Sequence, residues 1–272
     1  MYKFSNLENL EDRLLAETWN AAFADYLVPM VKTPKEIEAY IRASNVEKDK
    51  SFGAYYDGVL IGMLFNSIDN YRGKTVAYDA MTGIVPEHRG KGVFSLLFNY
   101  TKDALKSCGI NDYYLEVITE NKKAYEIYKR KGGTVVREFS VLEGRINSDI
   151  YCDVKVLPFS SNLINDLSKY EPSFNNRIVA MCRDNKNYQI ACAEKDNKKS
   201  AVVFNKNGSI LQILFEGKND SDLLYTVLTH LSGNFEKLRI SNIPVTETIL
   251  ISELLKMGFN NILNQYEMLI EL

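Results

Sequence analysis

Apolar residues recur at helical spacing through Leu7, Leu10, Leu14, Leu15, Thr18, Trp19, Ala22, Phe23 and Tyr26, which predicts an opening amphipathic helix with a wide inward face. Thr33-Pro34-Lys35-Glu36 then offers an N-cap threonine, proline at the first helical position and a glutamate placed for a capping box. A second helix carrying Ile37, Tyr40 and Ile41 is therefore expected, ending near Ser44-Asn45. The period then changes. Residues 51–56 and 59–65 are rich in strand formers and are joined by Asp57-Gly58, a strong hairpin signal. A polar turn at 70–74 leads into a strand over 75–85 and a glycine-containing loop. Leu96, Leu97, Tyr100, Ala104 and Leu105 mark the apolar side of the next helix, which stops near Cys108-Gly109. Residues 113–118 read as a buried strand, parallel to the previous one because a helix separates them. A helix over 121–131, closed by Gly132-Gly133, and a strand over 134–142 complete this half.

The end of the chain repeats that close. Residues 238–243 read as strand, 246–257 as helix ending in Gly258-Phe259, and 262–272 as a long strand, parallel element by element to 113–142. Between the halves, strand-like segments fall at 177–183, 188–193, 201–205 and 210–215, followed by a helix over 222–231. The linker is placed at 143–149, with Gly144 and Asn147-Ser148.

Length and composition agree with two ordinary domains: 272 residues, 46% hydrophobic and 25% charged, the profile of a globular protein. Net charge is −2 and neither half is basic, so nothing points to nucleic acid. No apolar run reaches the ~18 residues of a membrane span. The start, Met1-Tyr2-Lys3-Phe4-Ser5-Asn6, leads into an acidic segment instead of an apolar signal core, from which a cytoplasmic location is expected. Cys108, Cys152, Cys182 and Cys192 form no C-x-x-C pair, and the two histidines, His88 and His230, make no cluster with them. They are expected as reduced, mostly buried thiols, and no metal is expected.

The stretch Ile84-Val85-Pro86-Glu87-His88-Arg89-Gly90-Lys91-Gly92-Val93-Phe94 reads as strand end, short basic glycine loop and helix start. Gly90 and Gly92 let the backbone approach a ligand, and Arg89 and Lys91 set a positive sign where a helix start leaves N–H groups without intrahelical partners. Donors and macrodipole both favour an anion there. The dipole contributes about 0.3–1 kcal/mol per exposed charge, so several donors must act together to hold a pyrophosphate. On its own the same stretch is equally an ordinary strand-to-helix turn. Two rival phosphate motifs fit poorly. G-x-x-x-x-G-K-[ST] is absent, and a dinucleotide fingerprint needs glycine where Ser95 stands and a loop beginning at the strand end, where Pro86-Glu87-His88 intervene.

This stretch resembles the pyrophosphate loop of the GNAT superfamily of acetyl-CoA-dependent N-acetyltransferases, written [RQ]-x-x-G-x-[GA] after a strand ending in an apolar-x-Pro sequence. The match runs through Gly92, and bulky Phe94 departs from it. A second block agrees: Leu115-Glu116-Val117, then Asn121, Ala124, Tyr128, Gly132 and Gly133 at the superfamily's spacing. The resemblance implies that the backbone amides of Arg89, Gly90, Lys91, Gly92, Val93 and Phe94 hold the pyrophosphate of acetyl-CoA. It also implies that the splayed strand at Ile84 pairs with the pantetheine arm, that Asn121 bonds the cofactor and that Tyr128 stands near the thioester sulfur. A phenol of pKa about 10 can give a proton to a departing thiolate. By periodicity alone Tyr128 reads sooner as a core residue, one turn from Ala124, and it is the spacing shared with the superfamily that reverses this.

Glu116 sits in an otherwise apolar strand, where a carboxylate is costly unless partnered, so it is either a structural hydrogen-bonding residue or the base for the acceptor ammonium. Asp79 is the reserve base. His88 precedes the loop and is expected near the cofactor phosphates or solvent, and His230 is expected to pack or cap. Lys122-Lys123 and Lys129-Arg130-Lys131 read as a solvated helix face.

In the second half, Phe215-Glu216-Gly217-Lys218-Asn219-Asp220-Ser221-Asp222 occupies the place of the loop with an acidic sign that repels phosphate. Aligning Gly258 with Gly132 sets Leu254 opposite Tyr128 and Glu247 opposite Asn121. The expected architecture is α/β with mixed sheet: two GNAT-like domains in tandem, a catalytic one at 1–145 and a degenerate one at 150–272. The expected activity is acetyl transfer from acetyl-CoA to a primary amine of a small molecule or peptide, in a ternary complex. The alternative is a non-catalytic acyl-CoA sensor or regulatory scaffold.

Overall fold

A computed structural model of the chain describes residues 1–25, 30–147, 153–160, 170–215, 217 and 220–272. In order, these form β1 (Tyr2–Asn6), α1 (Asp12–Ala22), α2 (Pro34–Ala43), β2 (Phe52–Tyr56), β3 (Val59–Tyr71), β4 (Lys74–Ile84), α3 (Val93–Ser107), β5 (Asp112–Ile118), α4 (Lys122–Arg130) and β6 (Thr134–Gly144). There follow β7 (Lys155–Pro158), α5 (Ile178–Cys182), β8 (Tyr188–Lys195), β9 (Lys198–Asn205), β10 (Ser209–Leu214), α6 (Ser221–Ser232), β11 (Leu238–Pro244), α7 (Thr248–Lys256) and β12 (Asn260–Glu271). Two compact units result: residues 1–116 with 130–134 and 268–272, and residues 117–129 with 135–267. Among the described residues no helix is long and apolar enough to cross a membrane.

In the first unit the strands run β1-β2-β3-β4-β5, antiparallel except for the parallel pair β4–β5. Asp57 and Gly58 both take positive φ, 49° and 82°, the geometry of the two-residue hairpin their sequence predicts. The capping box at Thr33 also forms: Glu36 N–H donates to the threonine hydroxyl, and Thr33 N–H donates to the Glu36 carboxylate at 2.7 Å. Both helices press on β3 through Leu15, Trp19, Ile37, Met63 and Phe65. The Trp19 ring lies 5.2–6.3 Å from those of Phe23, Tyr40 and Phe65, and its Nε1 donates to the Met30 carbonyl at 2.6 Å. Such a polar tip must find a partner once the ring is buried.

In the second unit the order is β12-β6-β11-β10-β9-β8-β7, with β10 and β11 parallel. Alternate residues of β9 serve opposite faces: Val202 enters a core with Ile213, Leu228, Ile240 and Phe259, while Val203 joins Met181, Ile190 and Leu214. The elements β5-α4-β6 recur as β11-α7-β12, so the repeat read in the sequence is real in the fold.

Several expectations are corrected. The opening helix covers only Asp12–Ala22; Leu7 and Leu10 precede it, β1 was not anticipated, and Tyr26 lies outside the described residues. β1 is an edge strand whose pairing with β2 leaves no strong signal in five residues. Residues 177–183, expected as strand, contain α5, because the Arg177 carbonyl takes the N–H groups of Ala180 and Met181 and starts a helical turn. A short apolar run does not separate the two possibilities by period. On α3 the buried stripe is Val93, Leu97, Phe98, Thr101 and Leu105, whereas Leu96 and Tyr100 are exposed. Tyr100 instead lays its ring near those of Phe4 and Phe52 on the unforeseen edge.

The proposed linker begins as structure: Glu143 and Gly144 end β6, paired with Arg239 and Leu238, while Ser148 and Asp149 lie outside the described residues. Cys108 and Cys182 are exposed and Cys192 is buried; Cys152 also lies outside the described residues.

Candidate active site

Three local features of the first unit shape the site. The first is a bulge in β4. Phe65 faces Met81 and Asn66 faces Asp79, so Ala80 is the extra residue that bends the strand. Tyr40 donates its hydroxyl to the Ala80 carbonyl at 2.5 Å. Next to the bulge, Thr82 Oγ1 lies 2.9 and 2.8 Å from the two carboxylate oxygens of Asp79, which fixes that group on the strand. Sequence reading assigned Tyr40 only to the apolar side of α2, and nothing in the pattern marks its hydroxyl as a latch for β4.

Burial is the main cause that raises the Tyr40 pKa to about 12, and the Asp79 charge adds to it. Below pH 10 the phenol is neutral folded and unfolded. Between about 10 and 12 the unfolded chain releases its proton while the folded chain keeps it, so stability falls as pH rises. Urea titrations across this range are expected to give a shallower alkaline decline for Tyr40→Phe than for the native chain, and equal slopes would contradict the assignment.

The second feature is a parting of strands. β4 and β5 pair at Ala77–Tyr113 and Tyr78–Tyr114, while β4 continues to Ile84 along β3. Glu116 lies on β5 past this pairing, half-buried, with Oε1 shielded from solvent.

The third is the loop itself. Arg89 Nε donates to the Ile84 carbonyl at 2.8 Å; its other nitrogens bond both oxygens of Asp25, at 2.7 and 2.9 Å, and the Ala22 carbonyl at 2.6 Å. The guanidinium therefore ties the loop to the end of α1 and to β4, a role the motif did not reveal. Gly90 and Gly92 have φ of 73° and 76°, and a Cβ on either would stand in open space. The conformation, more than crowding, calls for glycine. Gly92 is the N-cap of α3 and offers the first turn no side-chain acceptor.

Phe94 stacks on Phe98 one helical turn on, at 5.7 Å and 27°, so its bulk lies along the helix. His88 does not face solvent alone: its Nδ1 is 3.2 Å from the Tyr2 hydroxyl and its ring 5.0 Å from that of Tyr56. Lys131, expected on a solvated face, bonds Asn99 Oδ1 at 3.0 Å and the Ser95 carbonyl at 3.3 Å, and its partial burial lowers its pKa.

Asn121 and Tyr128 lie in the second unit. Asn121 Oδ1 accepts from Ala124 N–H at 3.1 Å and so caps α4, and Tyr128 is half-buried on that helix. Glu247 stands at the N-cap of α7 and Leu254 is fully buried, as the internal alignment with Asn121 and Tyr128 predicts for positions that have lost polar work. Asp220 is buried at the start of α6 and Asp222 is exposed; Glu216 lies outside the described residues.

Residues 12–133 match the model of the acetyltransferase (GNAT) family. N-alpha-acetyltransferase 30 of Schizosaccharomyces pombe is 35% identical over 83 residues, 30% of this chain and 55% of that protein; the chain thus spans about half the length of this curated relative. Among solved structures, a tandem GNAT protein from the clavulanic acid biosynthesis pathway superposes over 100% of this chain and 98% of its own, with a TM-score of 0.64 and 10% identity. A GCN5-related N-acetyltransferase from Sphaerobacter thermophilus covers 98% of this chain and 95% of its own, with a TM-score of 0.65 and 11% identity. At these identities the likeness concerns the fold, which is that of two GNAT-like domains in tandem.

Proposed function

We propose, from the match of residues 12–133 to the model of the acetyltransferase (GNAT) family, that the chain transfers an acetyl group from acetyl-CoA to a primary amine. The observation that carries this reading is the parting of β4 from β5 beside a loop whose two glycines hold left-handed conformations at an uncapped helix start. The residues fit the group. The N–H groups of the first turn of α3 offer donors, the space around Gly90 and Gly92 is open, and Lys91 is exposed with a positive charge.

When bound, acetyl-CoA supplies the thioester whose acyl carbon the amine nitrogen attacks. On this reading the amides of residues 90–94 hold the pyrophosphate, whereas the Arg89 amide, expected to join them, donates to the Pro86 carbonyl at 3.1 Å; the edge of β4 near Ile84 aligns the arm, and Asn121 adds a hydrogen bond. Glu116 accepts the acceptor's proton, directly or through water, with Asp79 in reserve, and Tyr128 gives its hydroxyl proton to the leaving sulfur. We place this activity in residues 1–145 and treat 150–272 as a degenerate copy. The name of the Schizosaccharomyces pombe relative favours an α-amine, as at a peptide N-terminus, for the acceptor.

The test is calorimetry with acetyl-CoA followed by thiol release over a panel of peptide and small-molecule amines. Transfer to at least one amine supports the enzyme, and tight binding with no transfer to any would favour a sensor. A sharper check is Gly92→Val. An L-residue at φ 76° is strained by about 1–2 kcal/mol, and more when β-branched. Because the helix start must shift to relieve that strain, coenzyme A is expected to bind about tenfold more weakly or worse. Unchanged affinity would remove this loop from the site.

A further inference from the structure

The second unit repeats the strand geometry of the first and then fills it. β10 and β11 pair in parallel at Ser209–Arg239 and Ile210–Ile240, just as β4 and β5 pair at two successive positions. Immediately beyond, β10 shifts register against β9 between Ile210 and Gln212, leaving Leu211 as the extra residue. The corresponding extra residue of β4 is Ala80. β11 shifts against β6 between Ile240 and Ile243, and Asn242 takes φ 56°. The two strands therefore part where the β4–β5 pair also parts.

What lies against both edges of the gap is residues 170–177 of the same chain. Gln212 Nε2, on β10, donates to the Asn176 carbonyl at 2.5 Å. Asn176 Nδ2 donates to the Ser241 carbonyl on β11 at 2.9 Å, and Asn242 Nδ2 donates to Ser173 Oγ at 3.2 Å. The Tyr170 hydroxyl is hydrogen-bonded to the Ile213 backbone. Ser173 and Phe174 are fully buried, and Gln212 is 1% exposed. Arg177 closes the turn from outside, its Nε on the Phe174 carbonyl at 2.8 Å and its guanidinium 4.1 Å from the Phe174 ring centroid.

Buried amide side chains are tolerated when their hydrogen bonds are made. Gln212 and Asn242 each make a hydrogen bond to one segment, which reaches both parted strands at once. We propose that the opening between β10 and β11 is a peptide-binding slot occupied in cis by residues 170–177, and that it is closed to coenzyme A. The chain consequently takes up one coenzyme A molecule. The stoichiometry rests on the function proposed for the first parting; the occupancy does not.

The experiment uses the full chain. Calorimetry with coenzyme A gives one site, and hydrogen exchange over 170–177 and 209–214 stays slow and unaltered when coenzyme A is added. In Gln212→Ala and in the milder Tyr170→Phe, exchange over both segments quickens together by about tenfold, since both lose the same contact. Two coenzyme A sites, or coenzyme A protecting 209–214, would overturn the proposal. A result of no binding would refute the function of the first unit while leaving exchange to decide this slot. Fast exchange over 170–177 in the native chain, or unchanged exchange in Tyr170→Phe with native circular dichroism, would refute the slot itself.

Discussion

Tyr128→Phe is expected to lower kcat by about 10²–10³-fold with KM for acetyl-CoA within about twofold, the signature of an interaction made in the transition state. The substitution removes one oxygen and keeps the ring, so the packing of α4 is preserved. That helix starts at the Asn121 cap and carries Tyr128 two turns later, half-buried. As negative charge develops on the departing sulfur, a phenol is an effective donor because its proton is retained in the resting state near neutral pH. A core tyrosine predicts something else: loss of stability with kcat unchanged. Single-turnover acetyl transfer beside a thermal melt separates the two, and full turnover by Tyr128→Phe would end the catalytic assignment.

Glu267→Ala should cost about 3–5 kcal/mol of stability, the largest loss expected from one side chain outside the chemistry. Glu267 on β12 has no solvent exposure; its carboxylate takes Arg137 Nε at 2.8 Å and an Nη nitrogen at 3.0 Å. Arg137 also donates to the carbonyls of Glu171 and Pro172, at 2.7 and 3.2 Å, lies 3.5 Å from the part-exposed Glu171 carboxylate, and stands 4.6 Å from the Phe139 ring centroid. Removing the carboxylate leaves a desolvated guanidinium with only the longer contact to the solvent-screened Glu171 carboxylate. Denaturant midpoints with an unchanged m-value would measure the loss. The paired replacement Arg137→Met with Glu267→Leu is expected to recover most of it, because no charge is then stranded. A single-variant loss below about 1 kcal/mol would refute the buried-pair reading.

The sequence alone was enough for features set by local chemistry. The Thr33–Glu36 box, the Asp57-Gly58 turn and the glycine loop depend on residues a few positions apart, where side-chain reach and allowed φ decide the outcome. Apart from β1, β7 and α5, the order of strand and helix, and the repeat between the halves, followed from hydrophobic period. So did the parallel β4–β5 pair, since a helix between two strands requires a crossover. The failures share a cause. β1 is an edge whose structure comes from pairing with β2, α5 is a short apolar run without a decisive period, and Tyr100 faces outward because a distant strand supplies its contact.

Only the tertiary structure decided how the site is held. The β4 bulge is a mismatch between two strands and has no signature in either one. Tyr40 reaches it from 40 residues away, and Arg89, read as a loop charge, spans 64 residues to Asp25. The second half depends most on this. An acidic loop and missing side chains in the sequence mark it as degenerate, yet the occupant of its parted strands comes from residues 170–177, whose role no local pattern encodes. Periodicity and turn chemistry act over a few residues and can be read along the chain, whereas satisfying a buried amide or a parted strand edge is settled by whichever segment folding brings there.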